Sequence, residues 1–202
     1  MGQIVIEPVK NIEIPEAAVL LSRAFVPTHV VAAVYQGKSE EQRRCPEAIF
    51  KILLEGMHGK VLLAKDNHEM VGVMRMVEWP HCQLSPLQSQ KLLPFMIIAA
   101  RGSSFQTLRF RSTWAKHDPK QPHWHLGPLG VLPEKKGQGI GSQLLEYFCE
   151  YVDQFDQASY LETEQLKNVR LFERFGFSVT KEVPVLGVPS WLMWRPSRHD
   201  ML

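Results

Sequence analysis

The sequence predicts an α/β fold: one domain built on a mixed central sheet of about seven strands flanked by helices. Three observations carry this. Strand-like and helix-like patterns follow one another in the order β-α-α-β-β-(insert)-β-α-β-α-β-β. The 202 residues suffice for one domain, taken as 1–202, with a full core, and no internal repeat or low-complexity tract divides them. A strand-like run ending at Val131 passes through alternating glycines in Lys136–Ser142 into an amphipathic helix, and the β-α-β unit this begins should be parallel with a right-handed crossover.

The elements follow in order. Gln3 to Val9, rich in Ile and Val, reads as an opening strand. Ala17, Leu20, Leu21 and Ala24 then recur at helical spacing behind Pro15, which suits a first helical turn. A second helical stretch runs from Ser39 to Met57 with Ile49, Ile52 and Leu53 on one face, and Pro46 either splits it or starts its later half. Lys60–Ala64 and Met70–Val77 are strands of a hairpin joined by the turn formers of Lys65–Glu69. Residues 80–122 are broken by Pro80, Pro86, Pro94, Pro119 and Pro122, and are read as an insertion beside the substrate site with one or two helices between Leu92 and Lys116.

His123–Val131 is the next strand, in which Pro128 cannot donate to a ladder and so marks an edge or a bulge. The helix Gly139–Gln154 buries Ile140, Leu144, Leu145, Phe148 and Val152, and turns Gln143, Glu146, Glu150 and Asp153 to water; Cys149, at the edge of the apolar face, is a packing residue. A strand at Ser159–Glu162 and a short helix from about Asn168 to Phe175, stopped by Gly176, come next. Two strands, Ser178–Val183 and Ser190–Arg195, close the fold with Pro184, Gly187 and Pro189 between them. Trp191 and Trp194 read as packing residues.

Composition narrows the function. Lys plus Arg (23) against Asp plus Glu (21) leaves a net charge of +2, so no strong field draws the chain to nucleic acid or to an anionic membrane, and the expected partner is small. Cys45, Cys82 and Cys149 are odd in number, widely spaced and form no C-x-x-C pair, which argues against a disulfide framework or a zinc site. No metal is expected. The longest apolar run, Leu92–Ala100, contains Pro94 and falls far short of the roughly 20 residues that span a bilayer. The start of the chain has no basic region for secretion and lacks the Ser or Thr that myristoylation wants at position 6. A cytoplasmic location is expected, with a homodimer allowed.

The glycine loop points to an anion site. A helix start leaves several backbone N–H groups without intrahelical partners and carries the positive end of the macrodipole, so a phosphate there gains hydrogen bonds and favourable charge together. Glycines permit positive φ and close backbone approach. The spacing G-x-G-x-G fails the dinucleotide pattern G-x-G-x-x-G, and Ser142 is not preceded by the lysine of a P-loop.

With its flanks, the loop resembles the GNAT superfamily of N-acetyltransferases. The matching residues are Leu129-Gly130-Val131-Leu132-Pro133 for the strand L-x-V-x-P, Lys136-Gly137-Gln138-Gly139-Ile140-Gly141 with Ser142 for the acyl-CoA loop, and Asn168 through Gly176-Phe177 for the helix after the next strand. The match covers roughly residues 123–195, the expected cofactor-binding core. Two departures stand out: Lys136 occupies a position usually held by Gln or Arg, and Phe172 one where many members carry tyrosine.

The resemblance implies the acyl-CoA N-acyltransferase fold, with a bulged central strand splayed from its neighbour, and acetyl-CoA as cosubstrate with an amine as acceptor. Gly127-Pro128 fits the bulge. By the same resemblance, the main chain of Leu129, Gly130 and Val131 holds the pantetheine and acetyl group, acting like an oxyanion hole. Asn168 bonds the pantetheine arm, although as a residue it also suits an N-cap. A tyrosine at position 172 would protonate the departing thiolate, and phenylalanine has no donor.

For the general base, His123 and His125 lie two residues apart on one strand face, and imidazole titrates near neutral pH. The pair looks like the arrangement in arylalkylamine N-acetyltransferases. His125 lies deeper in the strand, and Glu162, at a strand end facing the same gap, is the second candidate. Two functions fit: an acetyl-CoA-dependent N-acetyltransferase acting on a small molecule or peptide, or an acyl-CoA-binding sensor or scaffold of the same fold with little catalysis.

Overall fold

The computed structural model describes residues 3–35, 41–56, 58–83, 90, 93–94 and 104–201. Seven strands, β1 (Ile4–Pro8), β2 (Lys60–Asp66), β3 (Glu69–Glu78), β4 (Trp124–Val131), β5 (Ser159–Thr163), β6 (Ser178–Val185) and β7 (Val188–Arg195), form one mixed sheet in the order β1-β2-β3-β4-β5-β7-β6. Every neighbouring pair is antiparallel except β4 and β5, which are parallel. That parallel pair is crossed by the helix α5 (Ile140–Asp153), as the β-α-β reading requires.

Helices cover both faces. α1 (Ile14–Phe25) comes so close to β4 that a Cβ on Gly130 would sit 2.9 Å from Leu21 Cδ2. On the opposite face α5 seats against β3, where a Cβ on Gly72 would sit 3.1 Å from Leu144 Cδ1 and 3.2 Å from Ile140 Cγ2. The core between them is apolar: Leu21, Leu63, Met74, Met76, Leu144, Leu145 and Phe148 are all sealed from solvent. Further helices are α2 (His29–Tyr35), α3 (Glu41–Gly56), α4 (Ser104–His117) and α6 (Leu166–Glu173).

Several sequence expectations change in detail. The β2–β3 hairpin closes on only two residues, Asn67 and His68, both at positive φ (49° and 71°), so each strand runs further than read. β6 and β7 likewise meet at Leu186-Gly187, and Pro184 stands opposite Pro189 within the ladder rather than between strands. The sheet tolerates this because β6 is its edge and because β5 pairs with β7 only as far as Trp191, short of Pro189.

α2 is an additional helix before β2. Thr28 Oγ1 accepts the N–H of Val31 at 3.3 Å, and Val30, Val34 and Tyr35 are buried. Its β-branched composition hides it from propensity, and tertiary burial decides. Asp153 does not face water: its carboxylate is 8% exposed and receives both terminal nitrogens of Arg195, at 2.6 and 2.9 Å. Of the helical segment read between Leu92 and Lys116, the described parts are the helical pair Leu93-Pro94 and α4, and the rest lies outside the described residues; so do Ser39 and Met57, the ends of the earlier helix reading.

Candidate active site

β4 is the axis of the site. Its register with β3 sets Met74 opposite Leu129 but Met76 opposite Leu126, so Gly127 and Pro128 together face Arg75 alone. This is a β-bulge at the proline that sequence singled out. On the other side β4 pairs with β5 only through Trp124, His125 and Leu126; beyond that point the strands part, and among the described residues no strand lies alongside Gly127–Val131 there. A cleft of about 920 Å³ occupies this gap.

The cleft joins the expected cofactor residues to the expected catalytic ones. Leu129, Gly130, Val131, Lys136, Gly137, Gly139, Ile140, Gly141, Ser142, Asn168 and Phe172 line it, as do His125 and Glu162; Gln138 is not on its wall. Gly137 and Gly139 adopt positive φ (82° and 79°), and Gly139 is the N-cap of α5, so the unpartnered N–H groups of the first helical turn open toward the cleft. Lys136 has no ion-pair partner among the described residues.

Asn168 lies inside the first turn of α6, whose N-cap position is Gln165 with no side-chain capping bond, so Asn168 does not cap the helix as the sequence suggested. Its amide instead donates to Thr163 Oγ1 at 3.3 Å, at the end of β5. Phe172 is 8% exposed and packs edge-on against Phe177, with ring centroids 6.1 Å apart.

At the deep end of the gap, His125 Nε2 lies 2.8 Å from Glu162 Oε2, and His125 Nδ1 lies 3.5 Å from Asp118 Oδ1. Burial alone would lower the imidazole's proton affinity, but the carboxylates of Glu162 and Asp118 outweigh it and raise the pKa well above the ordinary value. His123 precedes the strand rather than lying in it. It is fully buried, off the cleft wall, and its Nδ1 donates to the Gln121 carbonyl at 2.7 Å. Burial pushes its pKa down, so its neutral form is favoured.

Four residues of this region were not picked out by sequence. Cys82 Sγ lies 3.5 Å from His123 Nε2, and Asp118 joins the two histidines; the spacing argument that set the cysteines aside could not see this, because the partners are 41 and 36 residues away along the chain. Arg75 is 3% exposed, with its pKa lowered to about 10 by burial; it donates to the carbonyls of His58 and Gly127. Glu164 lines the cleft with its pKa raised by burial, against the opposing effects of Thr28 and His29. Only the His-x-His spacing signalled any of this in sequence.

Comparison with known proteins is consistent with this geometry. Residues 30–177 match the model of the acetyltransferase (GNAT) family. Among solved structures, the chain superposes on the Corynebacterium glutamicum protein described as histone acetyltransferase HPA2 and related acetyltransferase, with a TM-score of 0.71, 24% identity, and 98% of this chain and 97% of that one covered. It also superposes on the polyamine N-acetyltransferase of Drosophila melanogaster (TM-score 0.65, 14% identity, 95% and 98% covered) and on the ribosomal-protein-S18-alanine N-acetyltransferase of Escherichia coli (TM-score 0.57, 15% identity, 96% and 94% covered). At these identities the likeness is one of fold.

Proposed function

Because the chain belongs to the acetyltransferase (GNAT) family, we propose that it moves an acetyl group from acetyl-CoA to a primary amine of a small molecule or peptide, by direct attack in a ternary complex. The observation that carries this reading is the continuity of one cleft, from the glycine loop through the β4–β5 gap to the His125–Glu162 pair. In this reading the pyrophosphate takes the N–H groups at the start of α5, with Lys136 adding charge. The main chain of Leu129, Gly130 and Val131 polarises the thioester carbonyl, and Asn168 bonds the pantetheine arm.

Both ring nitrogens of His125 face carboxylate oxygens, so the free lone pairs near the gap belong to Glu162. Glu162 therefore takes the amine proton, and His125 orients it by donating from Nε2. His123, off the cleft wall, supports the pair from behind. The amine nitrogen bonds to the carbonyl carbon, the C–S bond breaks, and the thiolate takes up a proton as coenzyme A leaves.

The acceptor end of the cleft is walled by Val30, Val34, Phe110 and Trp114, with Glu162 and Glu164 as its acids. That lining suits a cationic amine with an apolar body. Acetyl-CoA binding by calorimetry, followed by free-thiol release across a panel of amines, tests the proposal. Amine-dependent thiol release is expected, and acetyl-CoA binding without it on any amine would overturn it. One observation favours a second reading, an acyl-CoA sensor or scaffold with little catalysis: Phe172 presents a ring with no donor to the cleft where a tyrosine would serve the thiolate.

A further inference from the structure

Cys82, Asp118, His123 and His125 come from three chain segments: just after β3, just after α4, and the start of β4. Their ligand atoms all lie within 4.8 Å of one another. Three edges of the cluster are 3.5 Å from Cys82 Sγ to His123 Nε2, 3.5 Å from His125 Nδ1 to Asp118 Oδ1, and 4.0 Å from His123 Nε2 to Asp118 Oδ1. Tetrahedral zinc, with Zn–S of about 2.3 Å and Zn–N of about 2.0–2.1 Å, sets such edges at about 3.3–3.6 Å. Two edges already match, the third is somewhat long at 4.0 Å, and the remaining ones, within 4.8 Å, close as the ligands draw in on the ion.

The outer partners orient the lone pairs inward. A carbonyl can only accept, so the His123 Nδ1 contact with Gln121 O leaves the neutral ring's lone pair on Nε2, the atom that faces Cys82 and Asp118. A carboxylate can only accept, so the His125 Nε2 contact with Glu162 leaves the neutral ring's lone pair on Nδ1. His125 Nδ1 and Asp118 Oδ1 are both buried without a hydrogen-bond partner, although they approach to 3.5 Å. Asp118 is nine-tenths buried, with a side chain 10% exposed. In the charged ring that Glu162 and Asp118 favour, Nδ1 carries a proton toward Asp118 Oδ1, and a metal ion takes the place of that proton.

We infer that Cys82, Asp118, His123 and His125 form a zinc site that ties the segment before β4 to the sheet beside the acceptor end of the cleft. The thiolate selects a borderline-soft metal over magnesium or calcium. On binding, the Cys82 thiol and the charged His125 ring, from Nδ1, each release a proton to solvent, and thiolate plus carboxylate balance the dication against two neutral imidazoles. With four protein ligands the site is closed and structural. His125 Nε2 still donates to Glu162 when Nδ1 holds the metal, so the site also fixes the proposed proton acceptor.

The test reads metal rather than acetyl transfer, so it stands apart from the proposed activity. The whole protein is stripped with a chelator under reducing conditions, then titrated with Co²⁺ and, in competition with a chromophoric chelator, with Zn²⁺. One metal per chain, a thiolate-to-cobalt charge-transfer band with tetrahedral visible intensity, and a raised Tm with Zn²⁺ are expected. Cys82→Ser should abolish the charge-transfer band, and Cys149→Ser should leave it intact. Asp118→Asn should weaken Zn²⁺ binding at least tenfold, and Glu162→Gln, acting through His125, by about 10–100-fold. If Cys82→Ser fails to fold by circular dichroism, Asp118→Asn decides. Absence of the cobalt band in the wild type, or Zn²⁺ affinity unchanged in Asp118→Asn, would overturn the site.

Discussion

At position 162 a carboxylate carries the proposed chemistry, and its partner is fixed by a 2.8 Å contact with His125. Glu162→Gln keeps the shape but removes the proton acceptor. It should lower kcat by about 10²-fold or more with acetyl-CoA affinity unchanged, as read by steady-state kinetics and calorimetry. Ten residues further on, Phe172 offers the cleft no donor. If thiolate protonation limits turnover, Phe172→Tyr should raise single-turnover thiol release by about tenfold, the modest end of acid–base assistance in a site not tuned for it. A silent substitution would mean that another group already supplies the proton.

The element that matters most is β4, held on one side by α1 and open on the other where β5 departs. Gly130 exists for the first contact. The Cβ of an alanine there would meet Leu21 Cδ2 at 2.9 Å and Ala24 Cβ at 3.1 Å, so Gly130→Ala should cost about 1–3 kcal/mol in denaturant unfolding as α1 is pushed off the strand. The start of α5 serves the open side. Gly139, the N-cap at φ 79°, has free space around its Cβ position, so a substitution there is opposed by backbone conformation and not by crowding. Gly139→Val should weaken acetyl-CoA binding by about tenfold in calorimetry, because the side chain strains the turn that aims the N–H groups.

Across the whole molecule, Asp153 and Arg195 clamp the end of α5 to the end of β7, with Arg195 Nε also donating to the Phe175 carbonyl at 3.0 Å. Burial favours the protonated acid, but the hydrogen bond and charge of Arg195, joined by Arg198, outweigh it and hold Asp153 below the ordinary carboxylate range. A carboxyl with a lowered folded pKa contributes fully above its unfolded value of about 3.9, and loses that contribution as pH falls through the folded value. Wild-type Tm should therefore drop more steeply below about pH 4 than that of Asp153→Ala. At neutral pH that variant should be about 3–5 kcal/mol less stable, because Arg195 is left buried without its partner.

Much of this was legible in the chain itself. The order of strands, the parallel β-α-β unit, the bulge at Pro128 and the glycine loop entering a helix depend on contiguous residues: period, proline's missing donor and glycine's freedom at positive φ. His125 and Glu162 could be named as candidates from strand position, though not that they would touch. What only tertiary structure decided lies between residues distant along the chain. Burial made a helix of the β-branched Val30–Tyr35 segment, and the edge position of β6, with β5 ending short of Pro189, admitted paired prolines into the β6–β7 ladder. Arg195 drew Asp153 out of water, and the return of the chain after α4 set Asp118 and the two histidines against Cys82. No local rule encodes such meetings, because the energy that fixes them comes from contacts made only once the sheet has closed.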